Sequence, residues 1–159
     1  MEAKLNTTVL DARTLLAPDD FSAVTDTVLD NNPGMPSATA EQIVVDALAF
    51  VATAAANPSE PLAPSRTVDE GWHALILHTA LYRELCERLG RFVDHFPERP
   101  DATRQTPRAL IRTAKVMRAT GYEPNPGLWT LPAEGRIPVA AKCGHAPKCG
   151  VSDPSVVIA

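Results

Sequence analysis

The stretch TVDEGWHALILHTALYRELCERLG, Thr67 to Gly90, decides how this chain folds. Thr67 and Glu70 are spaced as a T-x-x-E capping box, in which each side chain serves the other's backbone N–H. No charged residue follows Glu70 until Arg83, and Trp72, Ala74, Leu75, Ile76 and Leu77 surround the histidine at 73. Gly90 supplies a helix stop. The pattern predicts one helix from Thr67 to about Leu89, apolar on all sides in its middle and therefore buried. Burial makes His73 and His78 conspicuous, because an imidazole out of water needs a hydrogen bond, a carboxylate or a metal.

Working outward, the rest of the chain is read in helical periods broken by proline. Leu10 to Leu16 is a short first helix ending before Pro18. Asp19 or Asp20 can cap a second, with Phe21, Val24, Val28 and Leu29 on one side, and NNPGMPS ends it. Thr39 and Gln42 form a T-x-x-Q box that opens a long third helix, which stops at Asn57-Pro58. PSEPLAPS is a stiff loop before the central helix. After it, RFVDHFP turns away from Gly90. Thr106 can cap and Pro107 can occupy the first position of a last helix, which ends at Thr120 before Gly121. From Tyr122 onward the chain is proline-rich and has no clear period. No alternating strand pattern of any length occurs. The expected fold is all-α: a single helical domain of four to five helices over 1–121, with an irregular proline-rich arm over 122–159 packed on or tethered to it.

Composition bounds the function. With 159 residues the chain is long enough for one domain with its own core. Only 5% of residues are aromatic, so alanine, leucine and valine must fill much of that core. A net charge of −4 offers no general attraction to nucleic acid or to an anionic membrane. No apolar run approaches the ~20 residues needed to span a bilayer. The opening MEAKLNTTVLDAR has no apolar h-region, and the expected location is the cytoplasm. There, three cysteines are read as thiols or metal ligands rather than a disulfide framework.

At ~100° per residue, Asp69 and His73 share one helix face, while His78 points well away from it. A regular helix cannot aim both histidines at one ion, so each stands separately. Asp69 can hold one nitrogen of His73, which leaves two readings: a metal ligand or acid/base, or a core histidine satisfied by the aspartate and a carbonyl. His78 reads as a core histidine with Thr79 or a backbone group as its partner.

Asp69, Trp72-His73, Thr79, Tyr82, Cys86, Gly90, His95 and Pro97 resemble the core motif of the glycine-rich domain-containing protein-like family, D-x-x-W-H…T-x-x-Y-x-x-x-C…G-x-x-x-x-H-x-P. The likeness covers about residues 61–97. This chain lacks the glycine-rich region of that family's plant members and has Leu75 where they carry a second histidine. The resemblance implies no particular activity. It implies that Trp72, His73, Tyr82, Cys86 and His95 belong together. His95 gains interest from it, since a reversal at Gly90 would fold it back along the helix. A surface or capping histidine is the plainer alternative.

The tail KCGHAPKCG places Cys143, His145 and Cys149 in a C-x-H-x3-C spacing. Thiolates and imidazole suit tetrahedral zinc, and Lys142 and Lys148 would favour the thiolate form. A fourth ligand would come from His95, His73 or Cys86. A solvent-exposed tail is the alternative. Iron also fits such donors. Arg108, Arg112 and Lys115 make a basic stripe that reads as a solvated helix face. No phosphate-binding glycine loop and no nucleophile elbow are present.

These observations predict a small metal-binding helical protein with a structural, sensing or carrier role. Its ion, zinc first and iron second, would sit among Asp69, His73, His95, Cys143, His145 and Cys149. A metal-dependent enzyme of specialised metabolism and a metal-free interaction module are the alternatives. A protein or small molecule, rather than nucleic acid or membrane, is the expected partner.

Overall fold

A 20-residue helix runs through the middle of the protein, and the other helices are arranged against it. The computed structural model describes residues 8–98, 106–129, 137–139 and 144–145. Among these lie five α-helices: α1 (Pro18–Asn31), α2 (Ser37–Ala56), α3 (Arg66–Leu77), α4 (Thr79–Leu89) and α5 (Pro107–Thr120). The fold is all-α. Its only pairing of extended chain among the described residues is a two-residue antiparallel ladder, β1 (Pro97–Glu98) with β2 (Gly144–His145).

The first predicted helix is a single 3₁₀ turn, Ala12–Leu15, capped by the Asp11 carboxylate. In α1 the structure puts Pro18 at the first position and leaves Asp19 and Asp20 in the first turn, next to the positive end of the helix dipole. Phe21, Val24 and Val28 are buried as their spacing predicts.

Helix α2 begins two residues before the expected box. Pro36 is its cap residue, so Thr39 is already inside the helix and Gln42 donates to Asp46 instead. Contrary to the sequence reading, Ser37–Ala56 is long and apolar enough to cross a membrane by length and composition. In this fold 72% of its apolar window is buried inside the protein, because it is the central core helix.

The largest departure from expectation lies in the quoted stretch. The helix starts at Arg66, with the Ser65 hydroxyl accepting from Val68 N–H, so Ser65 is the cap rather than Thr67. It then breaks at His78, whose ψ of 68° cannot continue a helix. Hydrophobic periodicity passes through this break unaltered, which is why the sequence reads as one helix. His78 Nε2 lies 2.8 Å from the Thr27 hydroxyl of α1, and that partner replaces the expected Thr79 or backbone group. Leu77 beside the break is exposed, so this part of the stretch is not buried on all sides.

Two close approaches fix α3. A methyl group at Gly71 would stand 2.8 Å from both Ala47 Cβ and the Ile43 carbonyl oxygen, so glycine lets α3 sit directly on α2. Below it, Trp72 is fully buried against Phe50, ring centres 5.1 Å apart. Helix α5 follows its prediction: Thr106 caps, Pro107 comes first, and Gly121 ends it at φ +112°. It buries Leu110, Thr113 and Met117 and leaves Arg108, Arg112 and Lys115 exposed.

Residues 122–129, which lack a period, are nevertheless held. Asp46 of α2 accepts from Asn125 N–H at 2.9 Å and from Trp129 Nε1–H at 2.8 Å. Ser65 donates its hydroxyl to the Leu128 carbonyl, and Leu128 is buried. Asp46 is itself buried, and loss of solvation pushes its carboxyl above the usual range although three donors oppose that shift.

Candidate metal centre

Asp69 and His73 leave α3 one turn apart, and their side chains meet with His73 Nε2 3.3 Å from Asp69 Oδ2. The third member comes from beyond α4. Gly90 adopts φ +90°, ends α4 and turns the chain back. His95 then returns to α3, with its Nε2 3.0 Å from Asp69 Oδ1 and 2.9 Å from His73 Nε2. Among the described residues this is the group of His, Cys, Asp and Glu side chains close enough to share one ion.

The return of His95 depends on the break at His78. Ten residues of continuous helix would separate Trp72 and Tyr82 by about 15 Å along the axis. Instead Trp72 Nε1–H donates to the Tyr82 hydroxyl at 3.0 Å, and that hydroxyl donates to the Val93 carbonyl at 2.5 Å. The Trp72 ring meets the His95 ring edge-on, centres 4.5 Å apart. Phe92 packs edge-on against Tyr82.

Exposure is graded across the cluster. The side chains of Asp69, His95 and His73 are 0%, 7% and 31% exposed. Solvent therefore reaches the group from the His73 side. Burial pushes the His73 imidazole below its usual range, against the opposing pull of Asp69. That favours the neutral form, the one that can donate a lone pair. Glu70, the next residue after Asp69, is also buried and accepts from Asn32 Nδ2–H at 2.9 Å.

The three groups compete for hydrogens. Each imidazole Nε2 carries at most one hydrogen in its plane, or a lone pair in its place. If His95 Nε2–H donates to Asp69, that nitrogen has no lone pair for His73. If both nitrogens are protonated, two N–H groups face each other across 2.9 Å. A cation accepting a lone pair from each of the three groups would relieve that competition. Ligands each ~2.1 Å from a shared ion stand about 3.0–3.4 Å apart at octahedral to tetrahedral angles. The two imidazole nitrogens stand 2.9 Å apart, close to that spacing, and each meets a different oxygen of Asp69, at 3.0 Å for His95 and 3.3 Å for His73.

The other candidates fall elsewhere. Cys86 lies on α4 beside Tyr82 and the Val93 backbone, outside the converging group, and burial pushes its thiol up. Cys143 and Cys149 lie outside the described residues. Of His145 the backbone is described, opposite Pro97 in the β1–β2 ladder. Asp46 was not singled out from the sequence. The signal was a lone carboxylate in the apolar run VVDALAF, with Trp129 as a distant indole needing an acceptor.

Fold and cluster together define a small helical protein carrying a three-donor group, two imidazoles and a carboxylate, at one edge of its core. The chain belongs to the UCP032817-like family, whose model matches residues 15–119. This corrects the resemblance to the glycine-rich domain-containing protein-like family, which rested on about residues 61–97. The family match extends through α1, α2 and α5 as well. No curated protein and no solved structure matches the chain.

Proposed function

We propose that this protein binds one divalent metal ion, zinc or iron(II), through Asp69, His73 and His95. The convergence of two imidazole nitrogens and one carboxylate within 3.3 Å carries this reading. Two histidines and a carboxylate are a donor set used by zinc sites and by non-haem iron(II) centres, both of which keep open positions on the metal. The graded exposure fits an ion reached from the His73 side. Helix α3, which supplies two of the ligands, is packed into the core through Gly71 and Trp72, so Asp69 and His73 stand ready without help from the ion. This favours an exchangeable sensing, carrier or catalytic centre over one that the fold requires.

The tail remains part of the proposal. Gly144–His145, two residues of the C-x-H-x3-C segment, pair with Pro97–Glu98, the strand that follows His95. A donor from that segment would close the centre. A metal-dependent enzyme is the second reading. It is favoured by a groove of about 430 Å³ between the α1–α2 turn and Ile137–Val139, whose wall includes Asn32, the hydrogen-bond partner of Glu70.

Metal content of the purified, untagged protein tests the reading, measured beside His95→Ala and a Cys143→Ser/Cys149→Ser double variant. The expected result is about one equivalent of metal in the wild type, lost in His95→Ala. Retention in the double variant assigns the centre to the helical ligands alone, and its loss there adds the tail. A wild type that takes up no zinc or iron(II), even after reconstitution under reducing conditions, overturns the proposal.

A further inference from the structure

We infer that the Tyr82 hydroxyl is a positioning group for His95, so that metal affinity is set by a residue that does not touch the ion. This rests on the metal reading above.

His95 is not carried by a helix. It sits in the segment between Gly90 and Pro97, which has no regular backbone ladder of its own before β1. Such a segment samples many conformations unless its backbone is tied down. The tie is Tyr82. Its hydroxyl donates to the Val93 carbonyl, two residues before His95, and accepts from Trp72 Nε1–H. A phenol can do both at once, and phenylalanine can do neither. Tyr82 and Val93 are both buried, so water is not at hand to replace the lost bond. Trp72 is the immediate neighbour of His73 and meets the His95 ring edge-on. One hydroxyl thus links the loop that brings the third ligand to the helix that brings the first two.

Groups that orient metal ligands are typically worth ~10–100-fold in affinity. The test is Co²⁺ titration of the metal-free full-length protein, followed by its visible absorption, with circular dichroism to confirm folding. Tyr82→Phe is expected to bind Co²⁺ about 10–100-fold more weakly than wild type and with a changed ligand-field spectrum. Trp72→Phe, which keeps the Tyr82–Val93 bond, is expected to show a smaller loss. A purely structural tyrosine would lower the melting temperature and leave both the affinity and the spectrum of the folded fraction unchanged. That outcome overturns the inference. If Tyr82→Phe does not fold in plain buffer, the titration is run in a stabilising osmolyte such as trimethylamine N-oxide, and an unchanged affinity and spectrum there overturns it equally. A wild type that binds no Co²⁺ overturns the metal reading and this inference with it. A wild type that binds, beside a Tyr82→Phe that binds just as well, removes the inference alone.

Discussion

Asp46 and Asp69 are both buried aspartates on neighbouring core helices, and their surroundings make them opposites. Asp46 is met by groups that each have a hydrogen to give: a backbone amide, an indole and a glutamine amide. Every contact is an ordinary donation, and the result is a clasp holding residues 125–129 on α2. Asp69 is met by two imidazole nitrogens that also face each other, so the two rings compete for its oxygens. A carboxylate met by three plain donors is explained by the fold. A carboxylate shared by two facing imidazoles is the arrangement on which the metal proposal rests.

The sharpest separation is in metal binding. Asp69→Asn is expected to lose more than the ~10–100-fold that outer-shell partners contribute. Asp46→Asn is expected to leave metal binding unchanged. Calorimetric titration with Zn²⁺ decides it, and equal effects from both variants would erase the distinction.

Stability should divide the two sites the other way. Asp46→Ala strips the acceptor from three donors, including the Trp129 indole, and is expected to cost about 2–3 kcal/mol in urea unfolding. Asp46→Asn keeps an acceptor oxygen and is expected to cost under ~1 kcal/mol. A cost for the asparagine variant as large as for alanine would mean that the charge itself holds the clasp.

The raised Asp46 carboxyl gives a pH signature with a definite sign. Above the ordinary value of 3.8 the unfolded chain releases this proton while the folded protein still holds it. This contribution to stability is therefore fully present below 3.8 and is lost as pH rises through the folded-state value. The difference in unfolding free energy between wild type and Asp46→Asn should fall with rising pH over that window. A difference that grows with pH would show that the three donors outweigh burial.

The smallest effect is expected at the helix break. Thr27→Val removes the partner of half-buried His78 and should cost about 0.5–1 kcal/mol, with no change in metal content. A lowered metal content would tie the break to the centre more closely than the hydrogen bonds do.

Legibility in the sequence followed distance along the chain. Asp69 and His73 are one turn apart, and helical spacing alone places them together. Gly90 announces the reversal that returns His95. Helices α1, α2 and α5 could be traced from proline, glycine and apolar period, and α3 with α4 as one continuous stretch. The break at His78 could not, because apolar residues continue on both sides and the partner, Thr27, is 51 residues away. The cap at Ser65 was hidden by a better-looking box at Thr67. Asp46 was missed because its donors lie on a stretch with no period, and nothing local marks Trp129 as reaching back to α2.

The turn at Gly90 has a consequence for the order of assembly. His95 and Asp69 are 26 residues apart, whereas Trp129 and Asp46 are 83 apart. By loop-closure entropy the longer ring costs about 1 kcal/mol more to form. Ser65 to Pro97 therefore closes the shorter ring, and its three donors meet at a lower entropic cost than the distal strap meets its aspartate.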